Sequence, residues 1–129
     1  MASETSGEAA NWLAQVGPEL DGADQAWRTG NAGRGRVGAR RAAGMALKAW
    51  ISPTPRPDYG TSFMHHLNAL ADDTDRPAAV REAAWRLSAR PVPEGGFQIA
   101  PNVALTPMDD ARAIIAWVEK DLRRLSGAP

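Results

Sequence analysis

The stretch AGRGRVGARRAAGMALKAWI, residues 32–51, decides how the rest of the chain is to be read. Its first glycines, GRGRVG at 33–38, spell Gly-x-Gly-x-x-Gly, the fingerprint of a loop that cradles a dinucleotide pyrophosphate. That fingerprint works only between a strand and a helix, where the glycines make a tight turn and backbone N–H groups at the helix end reach the phosphates. Here the preceding segment, DGADQAWRTGNA, reads as helix and then turn, and the next acidic residue, Asp58, lies among prolines. No Gly-Lys-Ser/Thr follows, so the stretch is no P-loop either. At 100° per residue the same twenty residues instead make a helix. Ala39, Ala43, Ala46, Leu47 and Trp50 share one arc, and Arg34, Arg41 and Lys48 stack at seven-residue intervals, about 10 Å apart, on the opposite one. An alanine face admits a neighbouring helix closely, with Trp50 filling the wider end.

Outward from this helix, the composition agrees with it. Of 129 residues, 25 are Ala, whereas β-branched and aromatic residues are sparse, which favours helices packed through small side chains over strands. The length fits a single domain, residues 1–129, with one modest core. Formal charge is zero, which excludes a general polyanion binder, but the charge is unevenly spread. Between Gln25 and Pro57 there is no acidic residue, while Arg28, Arg34, Arg36, Arg40, Arg41, Lys48 and Arg56 all fall there. Thirteen of the fifteen basic residues are Arg, the side chain suited to bidentate contact with phosphate or carboxylate; a codon bias towards Ala, Gly, Pro and Arg yields the same count. The absence of cysteine removes disulfides and thiolate metal sites. The amino terminus MASETSGEAANW lacks the basic start and apolar run of a signal peptide, and no span of about twenty apolar residues occurs, so the expectation is a cytoplasmic protein without a membrane segment.

Upstream, a helix starting near Ser6 carries Trp12, Leu13 and Val16 up to Gly17-Pro18. Pro18 can open a second piece, Pro18 to Thr29, bearing Leu20, Ala23 and Trp27, with Gly30-Asn31 as its stop. Whether these are two helices or one kinked helix is open in the sequence. Downstream, SPTPRP at 52–57 must be an extended turn. A third helix is expected from Thr61 or Ser62 to about Ala71, burying Phe63, Met64, Leu67, Leu70 and Ala71. Asp75 is the expected cap of a fourth, Pro77 to about Ala89, burying Val80, Ala84 and Leu87 with Trp85 at its edge. A Pro- and Gly-rich loop, Arg90 to Leu105, contains FQIA as a brief candidate strand. The last helix has the clearest start: Thr106 as N-cap, Pro107 at N1 and Asp109 completing a capping box. Ile114, Ile115, Val118, Leu122 and Leu125 follow at core spacing, with Asp109 and Asp110 at the positive end of the helix dipole and Lys120, Arg123 and Arg124 at the negative end. The fold class is therefore all-α, an antiparallel up-and-down bundle of four to five helices.

Candidate chemistry is thin. Of the two histidines, His65 points away from the apolar centre of its helix and His66 sits at its border; both read as structural, and of the two His66 is the better catalytic candidate. Neither has an acidic residue or further histidine three or four positions away, so no metal ligand pair and no cofactor is expected. Arg34, Arg41 and Lys48 are the candidate anion- or nucleic-acid-binding residues, against the alternative of a solvated or subunit-facing surface. Trp12, Trp27, Trp50, Trp85 and Trp117 all fall at helical spacing with other apolar residues and read as core and interface anchors. No serine or threonine stands beside a recognisable base.

The order of a helix ending WRTGN, the helix GRVGARRAAGMALKAWI, a proline loop, the helix HHLNAL and the helix DARAIIAWVEKDL resembles the HEPN superfamily of small helical bundles. The points of likeness are the turn near Gly30, the run Ala46-Leu47-Lys48-Ala49 and the His66-Leu67-Asn68-Ala69-Leu70 segment. The resemblance implies a bundle that forms homodimers, in a family of RNA-cleaving toxins and non-catalytic partners of nucleotidyltransferases, so RNA or a nucleotide is the implied ligand. Its nuclease members carry an Arg followed at short range by His. This chain departs from that pattern, since eight residues separate Arg56 from His65 and nine separate it from His66. The resemblance therefore points to a non-nuclease bundle, with an RNase using His66 and Arg residues as the alternative.

Overall fold

The computed structural model describes residues 2–91, 94–97 and 105–127, with side chains from residue 11 onward. Among the described residues five helices make an all-α bundle: α1 Ala2–Arg28, α2 Ala32–Ile51, α3 Phe63–Asp72, α4 Ala78–Leu87 and α5 Pro107–Leu125, with a short 3-10 turn at Pro57–Tyr59 before α3. No strand occurs among the described residues; of FQIA, only Phe97 lies within them.

α2 is the hub, packing on α1, α3 and α5. Its bounds are those the sequence dictates, because Asn31 accepts the Arg34 N–H as N-cap and the Ser52 N–H closes on the Lys48 carbonyl. The buried arc is wider than the alanine count suggests, taking in Gly35, Gly38, Ala42 and Gly44 as well. Hydropathy misses the three glycines because glycine has no side chain to score; what they supply is room. A Cβ on Gly35 would stand 3.3 Å from the Ala23 carbonyl oxygen, and one on Gly38 would stand 2.8 Å from the Ala23 Cβ. The contacts step backwards along α1 as they step forwards along α2, from Trp27 to Ala23 to Glu19. The helix that comes close to GRGRVG is α1. On another side, Gly44 lies beneath the Phe63 ring of α3.

α1 is a single helix. It runs through Pro18, so the proline neither ends one helix nor starts another, and it begins earlier than Ser6. Trp12, Val16, Ala23 and Ala26 carry its buried stripe, and Arg112 of α5 pairs with Asp24 on its flank. Elsewhere the structure shifts the expected elements modestly. Asp75 does not cap α4; Pro77 stands at the N-cap with no side-chain bond, and the Asp75 N–H instead donates to Asp73 Oδ1 within the preceding turn. α4 stops at Leu87, two residues short of Ala89, whose φ of 57° is left-handed and cannot continue a helix. Met64 and Leu125, expected in the core, are exposed at 38% and 44%. His66, expected at a border, is buried in the face Met64 was expected to share. The capping box of α5 is present in full: Thr106 Oγ1 accepts the Asp109 N–H and Asp109 Oδ2 accepts the Thr106 N–H. The buried stripe of α5 reads Met108, Asp110, Ala111, Ile114, Val118 and Asp121, so two carboxylates sit where the pattern supplies apolar side chains.

Candidate functional site

The basic row of α2 stands as the wheel placed it. Arg34, Arg41 and Lys48 are all exposed on one face, with the exposed Val37 between them. Arg41 Nε lies 3.0 Å from Glu19 Oε1 of α1. Arg34 and Lys48 have no carboxylate at ion-pair distance among the described residues. At the α1–α2 turn Arg34 opens onto a shallow hollow of about 290 Å³ with Gly22, Gln25, Ala26, Thr29 and Asn31. Part of its rim is already used, as the Thr29 hydroxyl lies against the Gln25 and Ala26 carbonyls and Asn31 Oδ1 caps α2. What the row offers is a line of cations spaced along a rigid helix.

His66 is placed very differently. Ser62 caps α3 by accepting the His65 N–H, which sets the helix so that His66 turns inward. Its ring is 4% exposed, and Nδ1 lies 2.7 Å from the Tyr59 carbonyl oxygen. A carbonyl only accepts, so Nδ1 carries the proton and donates it, tying α3 to the 3-10 turn. The ring also meets Phe63, centroids 6.4 Å apart. His65 is exposed on the outer face, packed over Gly60. Among the described residues no group of three or more His, Asp or Glu is placed to hold a metal ion.

The densest chemistry gathers around Trp50, at the carboxyl end of α2, and sequence reasoning did not find it. The fully buried indole donates from Nε1 to Asp121 Oδ2 of α5 at 2.8 Å. Its ring packs edge-on against Tyr59 at 5.3 Å and at a tilt against Trp117 at 5.0 Å. The Arg56 guanidinium lies over it at 3.9 Å and that of Arg76 at 5.5 Å. Tyr59 donates its hydroxyl to Asp73 Oδ2 at 2.7 Å, and Arg76 Nε approaches the same oxygen at 3.3 Å. Arg124 donates to Asp121 Oδ1 at 2.9 Å. The one available signal was Asp121 itself, which falls three residues after Val118 and seven after Ile114, on the apolar stripe. Asp110 gives the same signal, and it holds Arg86 of α4 in a forked contact, with distances of 2.9, 3.1 and 3.2 Å.

The electrostatics of the cluster favour fixed charges over exchangeable protons. Burial opposes ionisation of Asp73. The Tyr59 hydroxyl, the Asp75 N–H and the positive charges of Arg76 and Arg56 outweigh it and hold the carboxyl below its usual range. Asp121 is likewise held low, because the Trp50 N–H together with Arg124 and Arg76 overcomes the cost of its burial. The Tyr59 hydroxyl is pushed well above the ordinary tyrosine range, chiefly by burial and then by the bond to Asp73 and its negative charge, so it stays a donor. Asp110 goes the other way: burial raises it, only partly offset by Arg86, and neighbouring Asp109 adds to the rise. Comparison of the chain with protein-family models, with curated proteins and with solved structures finds no match.

Proposed function

We propose that this chain is a non-catalytic, HEPN-like helical bundle that works by binding, pairing with a second copy of itself and serving as the partner module of a nucleotidyltransferase-type protein in the cytoplasm. The observation that supports a binding role is the outward row of Arg34, Arg41 and Lys48, three cations presented together on one rigid helix face. The burial of His66 and the commitment of its Nδ1 to the Tyr59 carbonyl support the non-catalytic half of the reading, since a general acid or base must reach its substrate. Light scattering at micromolar concentration tests self-pairing. A dimer is expected, and a monomer contradicts it. Co-expression with a nucleotidyltransferase encoded beside this chain tests the partner role. Co-purification with the wild type and its loss in the Arg34→Gln/Arg41→Gln/Lys48→Gln variant is the expected result, and undiminished co-purification of that variant overturns the role given to α2.

A second reading, weak binding of nucleic acid through the same row, is favoured by Arg34 and Lys48 having no carboxylate partner among the described residues. A cation already paired with a protein carboxylate has less to gain from a phosphate than a free one.

A further inference from the structure

Around Trp50 the guanidiniums outnumber the carboxylates that they or the indole contact. Three guanidiniums, Arg56, Arg76 and Arg124, meet two carboxylates, Asp73 and Asp121. Both carboxylates are already well supplied with donors. Asp73 accepts from the Tyr59 hydroxyl and the Asp75 N–H and faces Arg76, while Asp121 accepts from Trp50 and Arg124. The Arg56 guanidinium has no ion pair and no hydrogen bond to any described residue; its contact is the stack on the indole. The Nε atoms of both Arg56 and Arg76 are buried with no hydrogen-bond acceptor, Arg76 Nε being close to Asp73 but off line for one. Burying guanidinium donors without acceptors is costly, and since these two Nε atoms are closed to solvent, an anion meets the outward edges of the two half-buried side chains.

Arg56 is also held in place before anything binds. Prolines flank it on both sides, and the residue before a proline is confined to extended backbone, which Arg56 adopts with φ −130° and ψ 94°. Its carbonyl accepts the Tyr59 N–H at 2.9 Å. The stack on Trp50 fixes the plane of the guanidinium, so little conformational freedom remains to be lost on binding. Its half-buried edge and that of Arg76 reach solvent from over the same indole ring.

We propose that Arg56, with Arg76 beside it, is a binding site for a small oxyanion, a phosphate or a carboxylate, at the opposite end of α2 from Arg34. The planar fork of a guanidinium matches either group through paired N–H bonds, and its fixed positive charge selects an anion over a neutral ligand. The site is independent of the binding role given to the α2 row, which shares no residue with it.

The test is a titration of the intact isotope-labelled protein with inorganic phosphate and, separately, with acetate, at ionic strength held constant by chloride. The Trp50 indole N–H and the Arg56 Nε–H resonances are the readout. We expect saturable shifts of both resonances, weakened at least about tenfold in Arg56→Gln. Arg56→Lys, which keeps the charge without the fork, is expected to fall between the two. The Arg34→Gln/Arg41→Gln/Lys48→Gln variant should bind as the wild type does. Stronger binding of phosphate or of acetate identifies which oxyanion the site takes. Shifts no larger than chloride alone produces, or wild-type affinity in a folded Arg56→Gln protein, overturn the proposal.

Discussion

Asp121 shows what a single residue can do when it sits on the wrong face for its type. The helical pattern of α5 asks for an apolar side chain there, and the chain supplies a carboxylate that the Trp50 indole and Arg124 satisfy. Trp50→Phe removes the indole donor and some volume, and we expect it to cost about 3 kcal/mol in denaturant unfolding. Adding Asp121→Leu to it should recover part of that loss, because no buried acceptor is then left without its donor. The pH dependence follows from the same residues. Asp73 and Asp121 bind protons less tightly folded than unfolded, so the stability they contribute is full above their usual value of 3.8 and is lost as the pH falls through their lower folded values. Asp110, whose folded value is raised, contributes stability at low pH that is lost as the pH rises past it, and so offsets part of the acid loss. Asp121→Asn should therefore be less stable than wild type at neutral pH, with the gap narrowing towards about pH 3 in urea midpoints. A gap that stays constant contradicts the assignment. This cluster was barely legible in the sequence, because Trp50, Tyr59, Asp73 with Arg76, and Asp121 come from four separate segments and only the fold brings them together. His66 was visible as a histidine, but not as a hydrogen-bond donor to a carbonyl seven residues away.

At the level of elements, α2 and the start of α5 were read correctly because their end signals are local. Thr106 caps by bonding backbone three residues on, as its capping box announces, whereas Asn31, read only as the stop of the helix before it, also caps α2 in the same way. α1 was ambiguous at Pro18, since a proline can open a helix or sit within one, and tertiary packing on α2 decides the matter. The bounds of α4 were misjudged because its N-cap makes no side-chain bond to announce it. Glycine carries the remaining lesson, its effect depending on what lies opposite. Gly22 of α1 has nothing within 4 Å of a built Cβ, so Gly22→Ala should stabilise by up to about 1 kcal/mol through helix propensity. At Gly44 the same methyl would collide with Phe63 of α3. There the propensity gain is expected to be overridden by overpacking of about 1–3 kcal/mol, a net loss measurable as a lower thermal midpoint. Opposite signs for two identical substitutions would locate the close contact at α3.

Over the whole molecule, zero net charge conceals a cationic central segment set against an acidic remainder. The exposed α2 row and the Arg56 stack both belong to that segment, but they face different surroundings: Arg34 and Lys48 stand in solvent, whereas Arg56 lies against Trp50. Binding of single-stranded RNA through the α2 row should weaken steeply with salt. Neutralising three phosphates gives a log–log slope of about −2, which the Arg34→Gln/Arg41→Gln/Lys48→Gln variant should flatten. A slope unchanged in that variant would place the contacts elsewhere. The proposal is that this bundle binds and does not cut, with His66 a strut between α3 and the Pro57–Tyr59 turn. Its most direct test is incubation of total RNA with the wild type and with His66→Ala, alongside a thermal melt of both. Intact RNA with either protein and a lower melting temperature for His66→Ala is the result expected. RNA cleaved by the wild type and spared by His66→Ala would contradict it.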